Sequence, residues 1–161
     1  MLNIRIFGYS GIRLFTYAVI RLFGYWVIRG FGYSGIWVFG YGSLMWNPDF
    51  KLVEKRTGNL KGYHRSLCLK SIVYRGTPDY HGLVFGLDIG DSCQGMAYRI
   101  AKENVQSEML KIWEREMFAG TYIPTWVNVK TKHGSVSAIT FVINKKHEHY
   151  IPNLSLIHIS E

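Results

Sequence analysis

The chain has 161 residues, of which 48% are hydrophobic and 16% aromatic, and its formal net charge is +8. This length is typical of one domain with enough apolar residues for a sizeable core. Four arginines belong to an N-terminal repeat that has no acidic residues, and the remaining 15 basic and 11 acidic residues do not indicate nucleic-acid binding.

The N-terminal repeat has a period of eight residues. Its five units read RIFGYSGI, RLFTYAVI, RLFGYWVI, RGFGYSGI and WVFGYGSL. Eight residues are too few for one unit of a solenoid. On a helix, successive units of eight residues would face different directions, so no side would stay apolar. We therefore expect a strand-like or unstructured segment. The arginines limit each uncharged run to seven residues, which argues against a membrane-spanning helix, and no secretory signal is expected.

Two interpretations of residues 1–36 remain open. In the first, a short DNA repeat has expanded beside a coding sequence, and the segment carries no function. In the second, it is a basic aromatic arm whose Tyr, Phe and Arg side chains stack on single-stranded nucleic acid. The ordinary globular sequence begins at Trp37, where we place the start of the domain.

Several β-strands are predicted in the first half of the domain. The run IWVFGY is β-rich and stops at Gly42, and LMWNPDF is typical of a turn because it contains Asn47 and Pro48. Three further strands are predicted at GNLKGYHRSLCLKS, HGLVFGLDIG and CQGMAYRI.

The cysteines and the paired histidines do not indicate a reactive centre. Cys68 and Cys93 lie in strand-like segments, and without a secretory signal we expect reduced, buried thiols in the cytoplasm. His147 and His149 have no Cys or carboxylate partners at ligand spacing, so no metal is expected.

A helix is predicted over residues 101–119, and Gly120 is its expected stop. Its apolar stripe consists of Val105, Met109, Ile112 and Trp113, and its polar face of Glu103, Ser107, Lys111 and Glu114. Glu116 follows Ile112 by four residues and is predicted as the one carboxylate on the apolar side. Alternatively, Glu116 is a boundary residue that reaches solvent or pairs with Arg115.

The last two strands are predicted at TYIPTWVNVKT and SVSAITFVINKK, joined by a turn at His133 and Gly134. Strands, one helix and strands again indicate an α+β domain with a mixed or antiparallel sheet.

Six segments in this order resemble one enzyme family: WVFGYGSLMWNPDF, GYHRSLCL, RGT, GLVFGL, CQGMAYRI and WEREMFAGTYIPTW. Together they are similar to the ChaC-type, glutathione-specific γ-glutamylcyclotransferases, particularly the bacterial ones, from about Trp37 to Tyr150. The resemblance implies a β-barrel-like sheet with a central catalytic helix. It also implies a cytoplasmic lyase that cleaves the small molecule glutathione to 5-oxoproline and Cys-Gly, without a cofactor and without a nucleic-acid or membrane partner.

The same resemblance implies the site residues. Glu116 corresponds to the catalytic glutamate of the family. The segment that holds the γ-glutamyl end of the substrate corresponds to Val38, Phe39, Gly40, Tyr41, Gly42, Ser43 and Leu44. Arg75 is a candidate for a substrate carboxylate, and a solvent-facing loop arginine is the alternative. Tyr122 is a candidate for the glutamyl group, and a core tyrosine is the alternative.

The chemistry explains why so few residues are needed. The α-amino group of a γ-glutamyl amide attacks its own γ-carbonyl, so a folded substrate supplies the nucleophile. One carboxylate within reach of both nitrogens can accept a proton and then return it. Burial beside Trp113, Met117 and Phe118 is expected to raise the pKa of Glu116, and backbone N–H groups at residues 42–44 can form an anion-binding nest.

The C-terminal part departs from the family pattern. Family members continue beyond the segment matching NKKHEHYIPNLS, so we expect residues 37–154 to form a domain that is incomplete at its C-terminus. The ending LSLIHISE resembles a translated sequencing adapter, and residues 155–161 are interpreted as a non-native tail. Two alternatives therefore remain for function: an inactive fragment with an aromatic-basic arm, or a cyclotransferase for other γ-glutamyl amines.

Overall fold

A computed structural model describes residues 35–76, 81–117 and 119–152, with backbone only at 71–76 and 81. The N-terminal repeat before Gly35 and the segment from residue 153 onward lie outside the described residues. The strands are β1 (Ile36–Gly40), β2 (Glu54–Gly76), β3 (His81–Ile100), β4 (Tyr122–Thr131) and β5 (Gly134–Ile143). The helices are α1 (Ser43–Trp46) and α2 (Val105–Met117), the latter preceded by a 3-10 turn at Lys102–Asn104.

The five strands form a closed barrel in the order β1, β3, β2, β4, β5. All neighbours pair antiparallel except β1 and β5, which close the barrel through a short parallel ladder. The predicted hairpin of the last two strands is confirmed, because Tyr122 to Thr131 pair in register with Ile143 to Gly134. The α+β, barrel-like fold predicted from the sequence is confirmed.

The prediction of two separate strands at residues 81–90 and 93–100 is wrong. The structure has one strand of 20 residues, β3, which pairs with the equally extended β2 through several register shifts. Gly90 is the expected end of the first of these strands and Gly95 lies inside the second, and each allows a close approach of neighbouring atoms. A Cβ atom at Gly90 would overlap the His64 ring, and one at Gly95 would overlap the carbonyl oxygen of Gly40. Glycine permits these contacts without ending the strand.

Two large apolar clusters lie on the two faces of the sheet, and a third, small cluster surrounds Cys68. The barrel interior has buried side chains from all five strands, among them Phe39, Leu60, Leu87, Val129 and Ala138. The second cluster lies between the outer face of the sheet and α2, and includes Val38, Ile100, Met109, Ile112 and Phe141. Because Val38 and Phe39 are adjacent in β1, they point to opposite faces, as a strand requires.

The helix is close to its predicted position. The α-helical part begins at Val105, and Gly120 follows its end with a φ of +68° and donates its N–H to the Met117 carbonyl at 3.2 Å. A positive φ after the last turn is typical of a glycine stop. Among the described residues, no helix has the length and apolar character needed to cross a membrane.

Two smaller predictions have different outcomes. The segment LMWNPDF was expected to be a turn, but its beginning forms the one-turn helix α1. Cys68 and Cys93 are buried and free, as predicted, with exposures of 2% and 3%. Burial raises the pKa of both thiols, so neither has the character of a reactive thiolate.

Candidate active site

The glycine-containing turn between β1 and α1 forms one side of the candidate site. Met45 donates its N–H to the Gly42 carbonyl at 2.8 Å, and Asn47 donates to Ser43 at 2.9 Å, so the backbone is fixed in a tight turn. Leu44 is buried in the core under α2 and anchors this turn. At Gly42, a Cβ atom would have no described atom within 4 Å. The turn therefore presents backbone to open space at this position.

Tyr41 lies directly before this turn and is buried. Its hydroxyl donates a 2.8 Å hydrogen bond to the carbonyl oxygen of Phe141 in β5. Burial raises the pKa of the phenol well above its usual value, and the nearby Tyr122 and Glu116 raise it further. Tyr41 is therefore a neutral hydrogen-bond donor at any physiological pH.

Glu116 lies in the last turn of α2 with its side chain only 13% exposed. Burial raises the pKa of this carboxyl, and the Arg115 guanidinium, whose Nε is 3.5 Å from Oε1, acts in the opposite direction without cancelling the rise. The structure therefore combines the two interpretations of Glu116: its side chain is largely buried on the apolar side of α2, and it also contacts Arg115. A carboxyl with a raised pKa is suited to exchange protons near neutral pH.

Tyr122 is the first residue of β4 and completes the group. It is partly buried and packs against both the cluster under α2 and a small cluster around Cys68. Burial raises its pKa, and the negative charge of Glu116 contributes to the rise. Because Glu116 influences both tyrosines, the fold brings three predicted site residues within electrostatic range of one another: Tyr41 directly after β1, Glu116 in α2 and Tyr122 in β4.

The remaining predicted residues differ in position. Gly40 is buried at the end of β1, where a Cβ atom would come within 2.9 Å of the Leu44 side chain. Val38 and Phe39 are fully buried in the two separate core clusters. Their side chains hold β1, and with it the start of the turn, in the core. Their contact with a substrate stays a prediction. The side chain of Arg75 lies outside the described residues.

The prediction that Glu116 is the only carboxylate on the apolar side of the helix is wrong. Glu108 is also buried there, with 2% exposure. It accepts hydrogen bonds from the Lys51 N–H at 3.1 Å and the Lys111 ammonium at 2.9 Å. Burial acts to raise the pKa of Glu108, but these donors outweigh it and hold the pKa below its usual value. The sequence contains the spacing that predicts this position, because Glu108 precedes Ile112 by four residues and therefore lies on the same side of the helix.

The His147 and His149 side chains lie against each other. Their ring centroids are 4.9 Å apart in an edge-to-face arrangement, and the backbone N–H of His149 donates to Nδ1 of His147. Within the described parts of the chain, no three His, Cys, Asp or Glu side chains come close enough together to hold a metal ion.

Comparison with known proteins identifies relatives of the whole barrel. The family model for ChaC-like proteins matches residues 36–161. The glutathione-specific γ-glutamylcyclotransferase of Escherichia coli K12 is 41% identical over 110 residues, which are 68% of this chain and 48% of the relative. Glutathione-specific γ-glutamylcyclotransferase 1 of Danio rerio is 30% identical over 68% of this chain and 59% of its own length. The chain thus spans about half the length of the curated relatives it matches.

Solved structures share the fold. The crystal structure of the yeast γ-glutamylcyclotransferase specific to glutathione superposes with a TM-score of 0.67 and 21% identity, covering 76% of this chain and 74% of the yeast chain. YkqA from Bacillus subtilis gives a TM-score of 0.54 at 22% identity, over 74% of this chain and 44% of YkqA. The barrel with one packed helix is therefore common to these proteins.

Proposed function

This chain belongs to the ChaC-like protein family, and we propose that it is a γ-glutamylcyclotransferase that cleaves glutathione to 5-oxoproline and Cys-Gly. The related proteins of Escherichia coli and Danio rerio carry the name of this activity. Residues 37–154 are the catalytic unit in this proposal, and the N-terminal repeat and the last seven residues take no part. A cytoplasmic location is part of the same proposal.

One observation carries the proposal: a poorly exposed carboxyl, Glu116, with a raised pKa, within electrostatic range of Tyr41 beside a glycine-containing turn. This arrangement fits a reaction in which the substrate brings its own nucleophile. The protein then has to hold the γ-glutamyl chain folded and move protons between two nitrogens.

The proposed reaction begins with Glu116 as a carboxylate. It accepts a proton from the α-ammonium group of glutathione, and the freed amine attacks the γ-carbonyl carbon. As the C–N bond of the five-membered ring forms, negative charge develops on the carbonyl oxygen. The bond to the cysteine nitrogen then breaks, and Glu116 returns its proton to that nitrogen. The ring nitrogen gives up its second proton, which the released amine takes up, so the products are 5-oxoproline and Cys-Gly with a protonated amine.

The turn between β1 and α1 is proposed to hold the γ-glutamyl end. Its backbone N–H groups at residues 42–44 are suited to an oxyanion or to the α-carboxylate, because amides fixed in a turn act without reorganisation. The open space at Gly42 leaves room for this approach. The neutral hydroxyls of Tyr41 and Tyr122 are proposed to border the glutamyl group, and Arg75 to meet a substrate carboxylate.

The deciding experiment is incubation of the purified chain with reduced glutathione, with 5-oxoproline and Cys-Gly quantified by mass spectrometry. A γ-glutamyl amine that lacks the Cys-Gly part is tested in parallel. Equal turnover of both would support a cyclotransferase of broader specificity. Release from neither, in this chain and in a chimera that carries the C-terminal part of the Escherichia coli relative, would overturn the proposal.

A further inference from the structure

We propose that Arg115 is a positioning residue that couples the acid–base carboxylate of Glu116 to the turn that holds the substrate. The role assigned to Glu116 rests on the proposed function. The coupling itself rests on contacts that Arg115 makes to two different parts of the chain.

The contacts of Arg115 form a continuous path. Its Nη1 donates a 2.8 Å hydrogen bond to the carbonyl oxygen of Asn47, and its Nε lies 3.5 Å from Oε1 of Glu116. Asn47 in turn donates its N–H to the Ser43 carbonyl at 2.9 Å. One guanidinium therefore links the last turn of α2 to the end of α1, which begins in the turn at Gly42.

An arginine suits this place because of its shape. The planar guanidinium can direct one nitrogen to a carbonyl and another to a carboxylate at the same time, whereas a lysine ammonium is a single point of charge. The contact to Glu116 is also longer than the roughly 2.8 Å of a short charge-assisted hydrogen bond. Arg115 thus orients Glu116 while leaving its oxygens available for proton transfer.

Among the residues that the structure describes, Arg115 is the cation beside Glu116, on its own helix. The titratable groups of this part of the chain that interact with Glu116 from neighbouring elements are the phenols of Tyr41, directly after β1, and Tyr122 in β4. Burial raises the pKa of both phenols, so they stay neutral. Removal of the Arg115 charge leaves burial unopposed, and the pKa of Glu116 then rises further.

Two substitutions separate the effect of the Arg115 charge from the effect of its simultaneous contact with Glu116 and Asn47. Arg115→Gln removes the charge, and we expect the Glu116 carboxyl to titrate at higher pH and the acidic limb of the kcat/KM profile to move the same way. Arg115→Lys keeps the charge but reaches only one partner. We expect it to leave the limb near its original position and to raise KM by roughly tenfold, the effect of one lost hydrogen bond to a charged donor.

Lys111→Gln is the matched control. It removes the same charge from the same helix, but Lys111 pairs with Glu108 and not with Glu116. The Glu116 titration is followed directly by NMR of 13C-labelled glutamate side chains, assigned with Glu116→Gln, and needs no turnover. An unchanged Glu116 titration in Arg115→Gln, or an equal shift in Lys111→Gln, overturns the inference. A shift specific to Arg115→Gln in a chain without glutathione turnover supports the coupling and contradicts the proposed function alone.

Discussion

The hydroxyl of Tyr41 donates a 2.8 Å hydrogen bond to the carbonyl oxygen of Phe141, which lies 100 residues further along the chain. This bond joins the residue before the glycine-containing turn to the strand that closes the barrel. It fixes the start of the turn relative to the sheet, so the position of the candidate site depends on barrel closure.

Tyr41→Phe tests this relationship. The ring stays in the core while the Phe141 carbonyl loses its donor, so we expect a loss of about 0.5–1.5 kcal/mol in the free energy of unfolding, measured with urea. Tyr98→Phe is the comparison, because Tyr98 also donates its hydroxyl to a backbone carbonyl, that of Met45 at 3.1 Å. Turnover is expected to fall more in Tyr41→Phe. An equal fall in both variants would trace the effect to stability and not to the site.

Glu116→Gln is expected to reduce 5-oxoproline formation by roughly 10²–10⁴-fold, because the amide cannot accept the ammonium proton. Its size is unchanged, so glutathione should bind nearly as before. Glu114→Gln is the control and should have little effect, because the Glu114 side chain, two residues away, is exposed. Loss of activity in the Glu114 variant with retention in the Glu116 variant would contradict the assignment of the acid–base residue.

The wild-type pH profile follows from the same residue. Burial raises the pKa of Glu116, and the base must be ionised before the amine can attack. We therefore expect kcat/KM to fall as the pH is lowered through a pKa above the usual range of a glutamate. A profile with its acidic limb at the ordinary glutamate pKa would contradict this.

The buried carboxyl of Glu108 and the partly buried carboxyl of Glu116, both in α2, should affect stability in opposite ways. The folded-state pKa of Glu116 is raised, so its contribution is greatest at low pH and is lost as the pH rises through that pKa. The folded-state pKa of Glu108 is lowered, so its contribution is present above the unfolded-state pKa and is lost as the pH falls.

We expect Glu116→Gln to raise Tm at pH 8 relative to wild type and to have a smaller effect at pH 4. Glu108→Gln should lower Tm at pH 8, because Lys51 N–H and Lys111 lose an anionic acceptor, with a cost of about 1–3 kcal/mol. Thermal unfolding of the three proteins at both pH values measures the difference. If Tm changed in the same direction in both variants at pH 8, the surroundings of Glu116 or of Glu108 would be wrongly described.

Gly42→Val is expected to abolish substrate binding while the barrel still folds. The new Cβ atom would meet no described atom within 4 Å, so we expect the side chain to extend into the space proposed for the γ-glutamyl group. Gly32→Val, in the preceding repeat unit, is the control and should not affect binding. Calorimetric titration with glutathione, together with circular dichroism, would distinguish a blocked site from an unfolded protein.

Removal of residues 1–34 should leave folding and turnover unchanged. The closed barrel begins with β1 at Ile36, and every strand of it lies in the described part of the chain. The measurement compares Tm and kcat/KM of the shortened and complete chains. A large decrease in either would show that the repeat contributes to the structure.

The sequence by itself determined the local elements and the principal candidate residues. Alternating apolar residues were sufficient to predict β1 and the β4–β5 hairpin, and the 3.6-residue period placed α2 and put Glu116 on its apolar side. These features depend on residues close together in the chain, where side-chain periodicity is a direct consequence of backbone geometry. The six family segments then selected Glu116 and the Tyr41–Leu44 turn.

Only the tertiary structure decided which distant residues meet. The sequence predicts a strand end at Gly90, yet β3 continues through it, and the missing Cβ leaves room for the His64 ring. Glu108 can be buried because the backbone N–H of Lys51 donates a hydrogen bond to it. Arg115 is oriented by its hydrogen bond to the carbonyl oxygen of Asn47. Local periodicity cannot predict such partners, because they come from a loop brought to the helix by barrel closure. The environment that sets each carboxyl pKa is therefore a property of the folded barrel.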